Sequence, residues 1–477
     1  MGEAAFSISM ANSIMTDNAF VNTGSYPTRQ GNHLQLLLDG EAAFRRVCEA
    51  IEHAEHQVWA TITFMWPGFE FPDGRGTPLA FLNQAAARGL DIRLLFWRPD
   101  DETAHLRTNA FWGAPEHFDQ LRELHPNISI RWDRAHRGYC QHQKLWLVDP
   151  ALDSQVAFLG GLNLNPHSLT KPGHPGPGQN HDVYVELRGP AVADVQHNFV
   201  QRWNEASEHL APDGRWGVNG QTDLPFPTQL PAECGQAVVQ IQRTIHPGRY
   251  QHGAAPVGGQ PFNIAEGERT IIAQYGQAIR RAQRTIHMEN QYVEVPEITE
   301  ALHGALQRGV EVIVIMPAQP DISAGAYTSP DRKAFFESRA ALAHYPNFTL
   351  AGLSGLDDAE GRHPVWIHAK LMLIDDVWGT VGSANLHRFS AFGNGELNAT
   401  FWSPEAARAF RVELLAEHLG LDTSDLDDVT AMQLLRRTAL ENRVRLESSD
   451  LPWTGIVVAL DVCGYGVATP ISFRPQD

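Results

Sequence analysis

The chain has 477 residues, a formal net charge of −18 and a hydrophobic content of 43%. That length allows two or three domains, or one duplicated domain, with a substantial core. The acidic balance argues against a general nucleic-acid binder, whose affinity comes mostly from cations on phosphates, and against broad adsorption to anionic membranes. A local basic pocket within an acidic protein is still compatible with it. Cys48, Cys140, Cys234 and Cys463 lack metal-ligand spacing and read as free, mostly buried thiols. The N-terminus shows no basic region followed by an apolar core, and no run has the length and purity of a membrane span. The default expectation is therefore a cytoplasmic protein, with export as an effector as a second possibility.

In chain order, residues 1–30 read as a polar lead-in. His33–Leu38 is a short strand and Glu41–Glu55 has a helical apolar rhythm. Gln57–Trp66 reads as a strand, Thr77–Arg88 as a helix ended by Gly89, and Asp91–Trp97 and Asn127–Trp132 as strands. His142–Asp149 and Val156–Gly160 follow as strands. Lys171–Asn180 is a Pro- and Gly-rich loop, His181-Asp182 opens a strand to Leu187, and Pro190–Glu208 is a helix. Residues 211–235 form a linker between halves at 31–210 and 236–421. The pattern then restarts: strand Val238–Arg243, helix Glu268–Arg281, strand Thr285–Val293, helix Ile298–Arg308 and strand Glu311–Met316. Pro346–Leu350 leads to a last apolar strand at His368–Asp375. In the extension 422–477, Val429–Leu446 is helical and Ile456–Val462 strand-like.

The restart is an internal duplication. Arg88-Gly89-Leu90-Asp91-Ile92 matches Arg308-Gly309-Val310-Glu311-Val312 at an offset of 220 residues. His125-Pro126-Asn127 matches Tyr345-Pro346-Asn347 at the same offset. Each half also carries H-x-K-x4-D followed by a G-[GS]-x-N turn. These are His142, Lys144 and Asp149 with Gly160-Gly161-Leu162-Asn163, and His368, Lys370 and Asp375 with Gly382-Ser383-Ala384-Asn385. Alternating strands and helices predict an α/β fold of two sandwich halves. The halves are expected to pack about a pseudo-two-fold axis with the active site at their interface.

The motif residues suit phosphodiester chemistry. Residues two apart on a strand face the same way, so each histidine projects with its lysine. One histidine can attack phosphorus and form a covalent intermediate. The other can protonate the leaving oxygen and then deprotonate the acceptor. Lys144, Lys370, Asn163 and Asn385 can hold the non-bridging oxygens as charge builds, so no metal or other cofactor is required. Asp182 and Glu396 are candidates to fix the histidine tautomers. Asp149 and Asp375 belong to the catalytic motif, but their spacing turns them away from the histidines and suggests backbone-binding roles. Ser383, Gly161 and Gln291 are assigned to substrate contact. His136, Tyr139, Trp146 and Trp378 are read as packing, and His167, His174 and His181 as no metal site.

With these motifs, the chain resembles the phospholipase D superfamily over about residues 34–420. Further matches are Ile286-His287-Met288-Glu289-Asn290-Gln291-Tyr292, His181-Asp182-Val183 with Gly189-Pro190-Ala191, Phe199-Val200-Gln201-Arg202-Trp203-Asn204, and Glu417-His418-Leu419-Gly420. The resemblance implies tandem phospholipase D-like halves and a phosphatidyl-histidine intermediate. It makes His142 the nucleophile and His368 the general acid/base. It further implies hydrolysis of phosphatidylcholine-like lipids at a membrane surface, with water or a small alcohol as acceptor. A monomer is expected, with no nucleic-acid partner. The alternatives are a phosphatidyltransferase of the cardiolipin-synthase kind and then a nuclease of the same superfamily. Headgroup choice rests with loops 66–78, 165–180 and 318–334.

Overall fold

The computed structural model describes residues 19–99, 115–150, 152–207, 223–320, 336–357, 361–448 and 452–466. The first half contains β1 (Arg29–Leu38), α1 (Gly40–Glu52), β2 (Gln57–Ile62), α2 (Pro78–Ala87), β3 (Asp91–Trp97), α3 (Pro115–Arg122), β4 (Ile128–Asp133), β5 (Lys144–Val148), β6 (Val156–Gly160), β7 (Asn180–His181), β8 (Val183–Arg188) and α4 (Val192–Asn204). The second contains β9 (Ala237–Ile245), β10 (Glu268–Arg269), α5 (Thr270–Arg281), β11 (Thr285–Asn290), α6 (Pro296–Gln307), β12 (Glu311–Ile315), β13 (Phe348–Asp357), β14 (Gly361–Pro364), β15 (Trp366–Ile367), β16 (Lys370–Ile374), β17 (Trp378–Gly382), α7 (Arg388–Phe392) and β18 (Glu396–Trp402). Then come α8 (Pro404–Leu419), α9 (Asp428–Glu447) and β19 (Val457–Ala459).

The two sheets share one strand order. In the first it is β4-β3-β2-β5-β6-β8-β1, parallel among β4, β3 and β2 and antiparallel beyond. In the second, β13-β12-β11-β16-β17-β18-β9 repeats that sequence of parallel and antiparallel neighbours. The mixed α/β architecture is the one that the alternating sequence pattern implies.

Side-chain alternation explains how the sheets stack. Leu145 and Leu147 of β5 join Leu371 and Leu373 of β16 in one buried cluster shared by both halves. Their neighbours Trp146 and Val148 face a second cluster with Phe44, Val47 and Leu82 of α1 and α2. Met372 and Ile374 likewise face Ile279, Ile298 and Leu302 of α5 and α6. Both faces of these strands are therefore dry, which is why they read as unbroken apolar runs. The halves are also sewn together by backbone: β1 pairs with β9 through Arg29 and Val239, and β7 runs parallel to β15.

Several boundaries move. The motif strands begin at the lysines, Lys144 and Lys370, and the histidines lie just before them. The strand predicted over Gln57–Trp66 stops at Ile62, and that over Thr285–Val293 stops at Asn290. The end of the lead-in is not loose: Ala19, Phe20, Val21 and Tyr26 are buried, and Val21 N–H donates to Gln274 at 2.8 Å. Its last residues are strand, since β1 starts at Arg29, whose guanidinium pairs with Asp194 at 2.7 Å. Part of the predicted linker, residues 211–222, lies outside the described residues; 223–235 holds no helix or strand. β19 extends the second sheet along β13. Only Cys48 is buried, while Cys234 and Cys463 are exposed, against the expectation of mostly buried thiols. Among the described residues, no helix is long and apolar enough to cross a membrane.

Candidate active site

Each motif histidine is delivered by a backbone bond to the other half. His142 N–H donates to Gly395 O at 2.8 Å, and Gly395 N–H donates to Cys140 O at 2.8 Å. This places Glu396 against His142, whose Nδ1 is 3.1 Å from the Glu396 carboxylate and 3.0 Å from Ser383 O. On the other side, His368 and Ala369 N–H groups donate to His181 O at 2.8 and 3.1 Å. That places Asp182 against His368, with Oδ2 2.6 Å from Nδ1. Two acceptors at His142 Nδ1 and a carboxylate at His368 Nδ1 put the ring protons there. Nε2 is then the basic nitrogen of each ring.

Both histidines line one cavity of about 390 Å³, together with Asn163, Asn385, Gln291 and His387. Lys144 and Lys370 are buried, and each ammonium donates to the carbonyl of its own motif histidine. The Oδ1 atoms of Asn163 and Asn385 are buried without a hydrogen-bond partner among the described residues. An amide end without protein partners can turn its NH₂ to a phosphoryl oxygen.

Burial sets the electrostatics. It holds His142 well below its ordinary value, helped by Lys144 and Lys370. His368 is lowered to about 4 by burial and then by Lys370, against the pull of Asp182. Burial also lowers Lys144 to about 7 and Lys370 to about 8. Glu396 is pushed up by burial, while Lys144 and hydroxyl donors oppose that rise. Ser383 and Ser390 Oγ–H groups donate to it at 2.6 and 2.5 Å. The cavity is thus short of negative charge, and an anionic phosphodiester would supply it.

Several assignments need correcting. Asp149 and Asp375 leave the catalytic set and bind backbone, as their spacing suggests. Asp149 accepts the N–H groups of Glu55, His56 and Gln57 at 2.8–2.9 Å. Asp375 accepts those of Gln283, Arg284 and Thr285 at 2.8–2.9 Å. They tie the far end of each motif strand to the strand beside it. Ser383 and Gly161 do not line the cavity. Ser383 is spent on Glu396, and a Cβ at Gly161 would collide with the Asp182 carboxylate. The Gly/Ser difference between the motifs thus follows from which carboxylate each turn must accommodate. Gln291 does line the cavity.

Sequence reasoning missed His387, Asn394, Trp66 and Trp366, all in the cavity wall. His387 had a signal: it lies two residues past Asn385, on the same turn. Its Nδ1 accepts Ser390 N–H at 3.1 Å, capping α7. Trp146 and Trp378 are buried in the core as expected. The loop at 318–334 lies largely outside the described residues.

Residues 275–417 match the family model described as "Cardiolipin synthase, PLD-like domain". The chain is 25% identical over 425 residues to cardiolipin synthase A of Pseudomonas entomophila, covering 87% of this chain and 74% of that one. It is 26% identical over 419 residues to cardiolipin synthase B of Salmonella typhi, covering 86% of this chain and 85% of that one. Among solved structures, phosphatidylserine synthase of Haemophilus influenzae Rd KW20 superimposes with a TM-score of 0.53 at 12% identity. That match covers 92% of this chain and all of the other, and speaks to the fold alone. Residues 275–417 thus match a PLD-like domain, and the two-motif chain is similar over most of its length to cardiolipin synthases.

Proposed function

We propose that this protein is a phosphatidyltransferase that moves a phosphatidyl group from a donor phospholipid to a lipid alcohol through a phosphohistidine. The observation that carries the reading is the pair of histidines on one cavity, each held at Nδ1 by a carboxylate of the other half. Nε2 of His142 attacks phosphorus, and His368 donates a proton to the departing alcohol. The same His368 then takes the proton of the acceptor hydroxyl, whose oxygen attacks phosphorus and releases His142. Lys144, Lys370, Asn163 and Asn385 hold the non-bridging oxygens. The bound anion raises the pKa of the histidine that must begin protonated.

The curated relatives carry the name cardiolipin synthase. This favours transfer over the phosphatidylcholine hydrolysis that the sequence resemblance put first. With phosphatidylglycerol as both donor and acceptor, the reaction yields cardiolipin and glycerol. Both motifs lie on one chain, so the proposed site is complete in a single copy.

The test is product analysis by mass spectrometry on phosphatidylglycerol vesicles, with phosphatidylcholine vesicles and oligonucleotides in parallel. Cardiolipin with stoichiometric glycerol supports the proposal. Phosphatidic acid without cardiolipin, or cleavage of the oligonucleotide alone, overturns it in favour of hydrolysis or nuclease action.

A further inference from the structure

Behind the His368 segment lies a second group of buried titratable side chains that the proposed chemistry does not use. Asp39 precedes α1, His174 and His181 flank the loop before β8, and Glu417 lies near the end of α8. The side chains of all four are at most 3% exposed. His174 Nε2 is 3.5 Å from Asp39 Oδ2 and 3.3 Å from Glu417 Oε1. His181 Nδ1 is 3.3 Å from Asp39 Oδ1 and 3.4 Å from Glu417 Oε2. These are long for N–H···O bonds. Asp39 Oδ2, His174 Nε2, His181 Nδ1 and Glu417 Oε2 are all buried with no hydrogen-bond partner among the described residues.

The tautomers sharpen the point. Glu289 is within 2.7–2.8 Å of Nε2 of His181, His287 and His418. A carboxylate only accepts, so each Nε2 carries its proton. In its neutral form His181 therefore turns the Nδ1 lone pair toward two carboxylate oxygens, which is repulsive unless a positive charge lies between them. Asp39 is turned the same way: it stands at the N-cap of α1 but makes no side-chain cap bond.

We propose that Asp39, His174, His181 and Glu417 bind one divalent cation of the zinc class. A tetrahedron with metal–ligand bonds of about 2.0–2.1 Å has edges of about 3.3 Å. The four N···O separations, 3.3–3.5 Å, are close to such edges, but Asp39 and Glu417 each meet the two histidines with different oxygens, so one oxygen of each must turn inward to complete the tetrahedron. One donor atom taken from each of the four residues gives a set that lies within 4.8 Å of one another. Two imidazoles and two carboxylates make a neutral site with a dication. The Glu289–His181 contact supplies the outer carboxylate that commonly fixes a ligating histidine. The sequence reading of His174 and His181 as no metal site overlooked Asp39 and Glu417, which are far from them in the chain.

The cation would be a staple between halves, since Glu417 comes from the second and the other three ligands from the first. It would also fix the catalytic carboxylate. Asp182 follows His181 directly, and its N–H donates to Asp39 at 3.2 Å.

The experiment is metal analysis of the purified full chain, dialysed against zinc and desalted, beside His174→Ala, Glu417→Gln and the exposed-loop control His167→Ala. About one zinc per chain is expected in the wild type and the control, and less than about 0.2 in the two site variants. Chelation by dipicolinate should lower the wild-type melting temperature, and zinc should restore it. X-ray absorption on the wild type decides the matter even if a variant does not fold: two imidazole nitrogens and two carboxylate oxygens support the site. A wild type that retains no zinc and melts alike with zinc or chelator overturns it. So does full zinc content in a folded His174→Ala. His181 would then be an imidazolium, raised well above its ordinary value by Glu289 and Asp39 in spite of burial.

Discussion

Glu396 Oε2 stands 3.1 Å from Nδ1 of His142, so the carboxylate that aims the first-motif histidine belongs to the second half of the chain. Asp182 returns the relationship to His368 at 2.6 Å. Neither half is a complete site alone. Replacing Asp182 with Asn or Glu396 with Gln should lower kcat by about 10²–10⁴-fold with little change in KM. The fold should survive, because both changes are isosteric. Steady-state kinetics on phosphatidylglycerol vesicles checks this; a loss expressed wholly in KM would contradict the orienting role.

The two histidines are expected to fail at different steps. His142→Ala and His368→Ala should each lose at least about 10³-fold in transfer from natural lipids. A phosphatidyl ester of p-nitrophenol separates them, because that leaving group needs no proton. His368→Ala should still release one equivalent of nitrophenol in a burst and then stall as the phosphohistidine. His142→Ala should give no burst. The reverse pattern would exchange the roles of the two residues.

Gly161 admits a sharper test of the same geometry. A Cβ there would run into Asp182 Oδ1. Gly161→Ala should displace Asp182 from His368 and cost about 10–10³-fold in kcat, while far-ultraviolet circular dichroism stays unchanged. Wild-type kcat in Gly161→Ala would show that the Asp182–His368 contact does not limit the reaction.

Much of this was readable from the chain because it is local. The repeat at an offset of 220 residues exposes the duplication, and the i, i+2 spacing keeps Lys144 close to His142, although the strand itself begins only at the lysine. Asp182 and Glu396 were found as residues, but which histidine each serves depends on the bonds from His142 to Gly395 and from His368 to His181. No local pattern encodes those. Ser383 was misread because a hydroxyl next to a catalytic turn looks like a substrate donor, whereas burial against Glu396 uses it up. Trp66 reaches the cavity from a loop and Trp366 from the two-residue strand β15, neither with a periodicity to fix its direction. The Asp39–Glu417 cluster is the extreme case, its members joined only by the packing of the two sheets.

Asp149 and Asp375 should behave as structural residues. Each accepts three backbone N–H groups from the segment that opens the adjoining strand. Alanine at either position leaves those donors unpaired and should cost about 2–4 kcal/mol of stability. Asn should cost less, since it keeps one acceptor oxygen and tolerates the positive φ of 49° and 56° found there. Urea unfolding measures the loss. Turnover per folded molecule should stay within about twofold of wild type, since removing these groups leaves the cavity residues in place. A large fall in kcat without destabilisation would return them to the catalytic set.

The buried lysines tie activity and stability to pH with opposite signs. Burial lowers Lys144 to about 7 and Lys370 to about 8, from an ordinary 10.5. Both must be protonated to hold a phosphoryl group, so kcat/KM, which reports the free enzyme, should fall as pH rises through 7 to 8. The bound anion favours the charged lysines, so the limb in kcat should lie at higher pH. Stability runs the other way. Between about 7 and 10 the unfolded chain holds more protons on these lysines than the native state, so this contribution to stability rises with pH. Lys144→Met removes the buried charge and its strain. It should abolish transfer while stabilising the protein at pH 7 by on the order of 2 kcal/mol, because a buried cation is exchanged for an apolar group of similar length. Urea denaturation of the wild type and Lys144→Met at pH 7 and pH 9 is the check. The gap between them should narrow at the higher pH; a constant gap would mean that Lys144 does not titrate in that window.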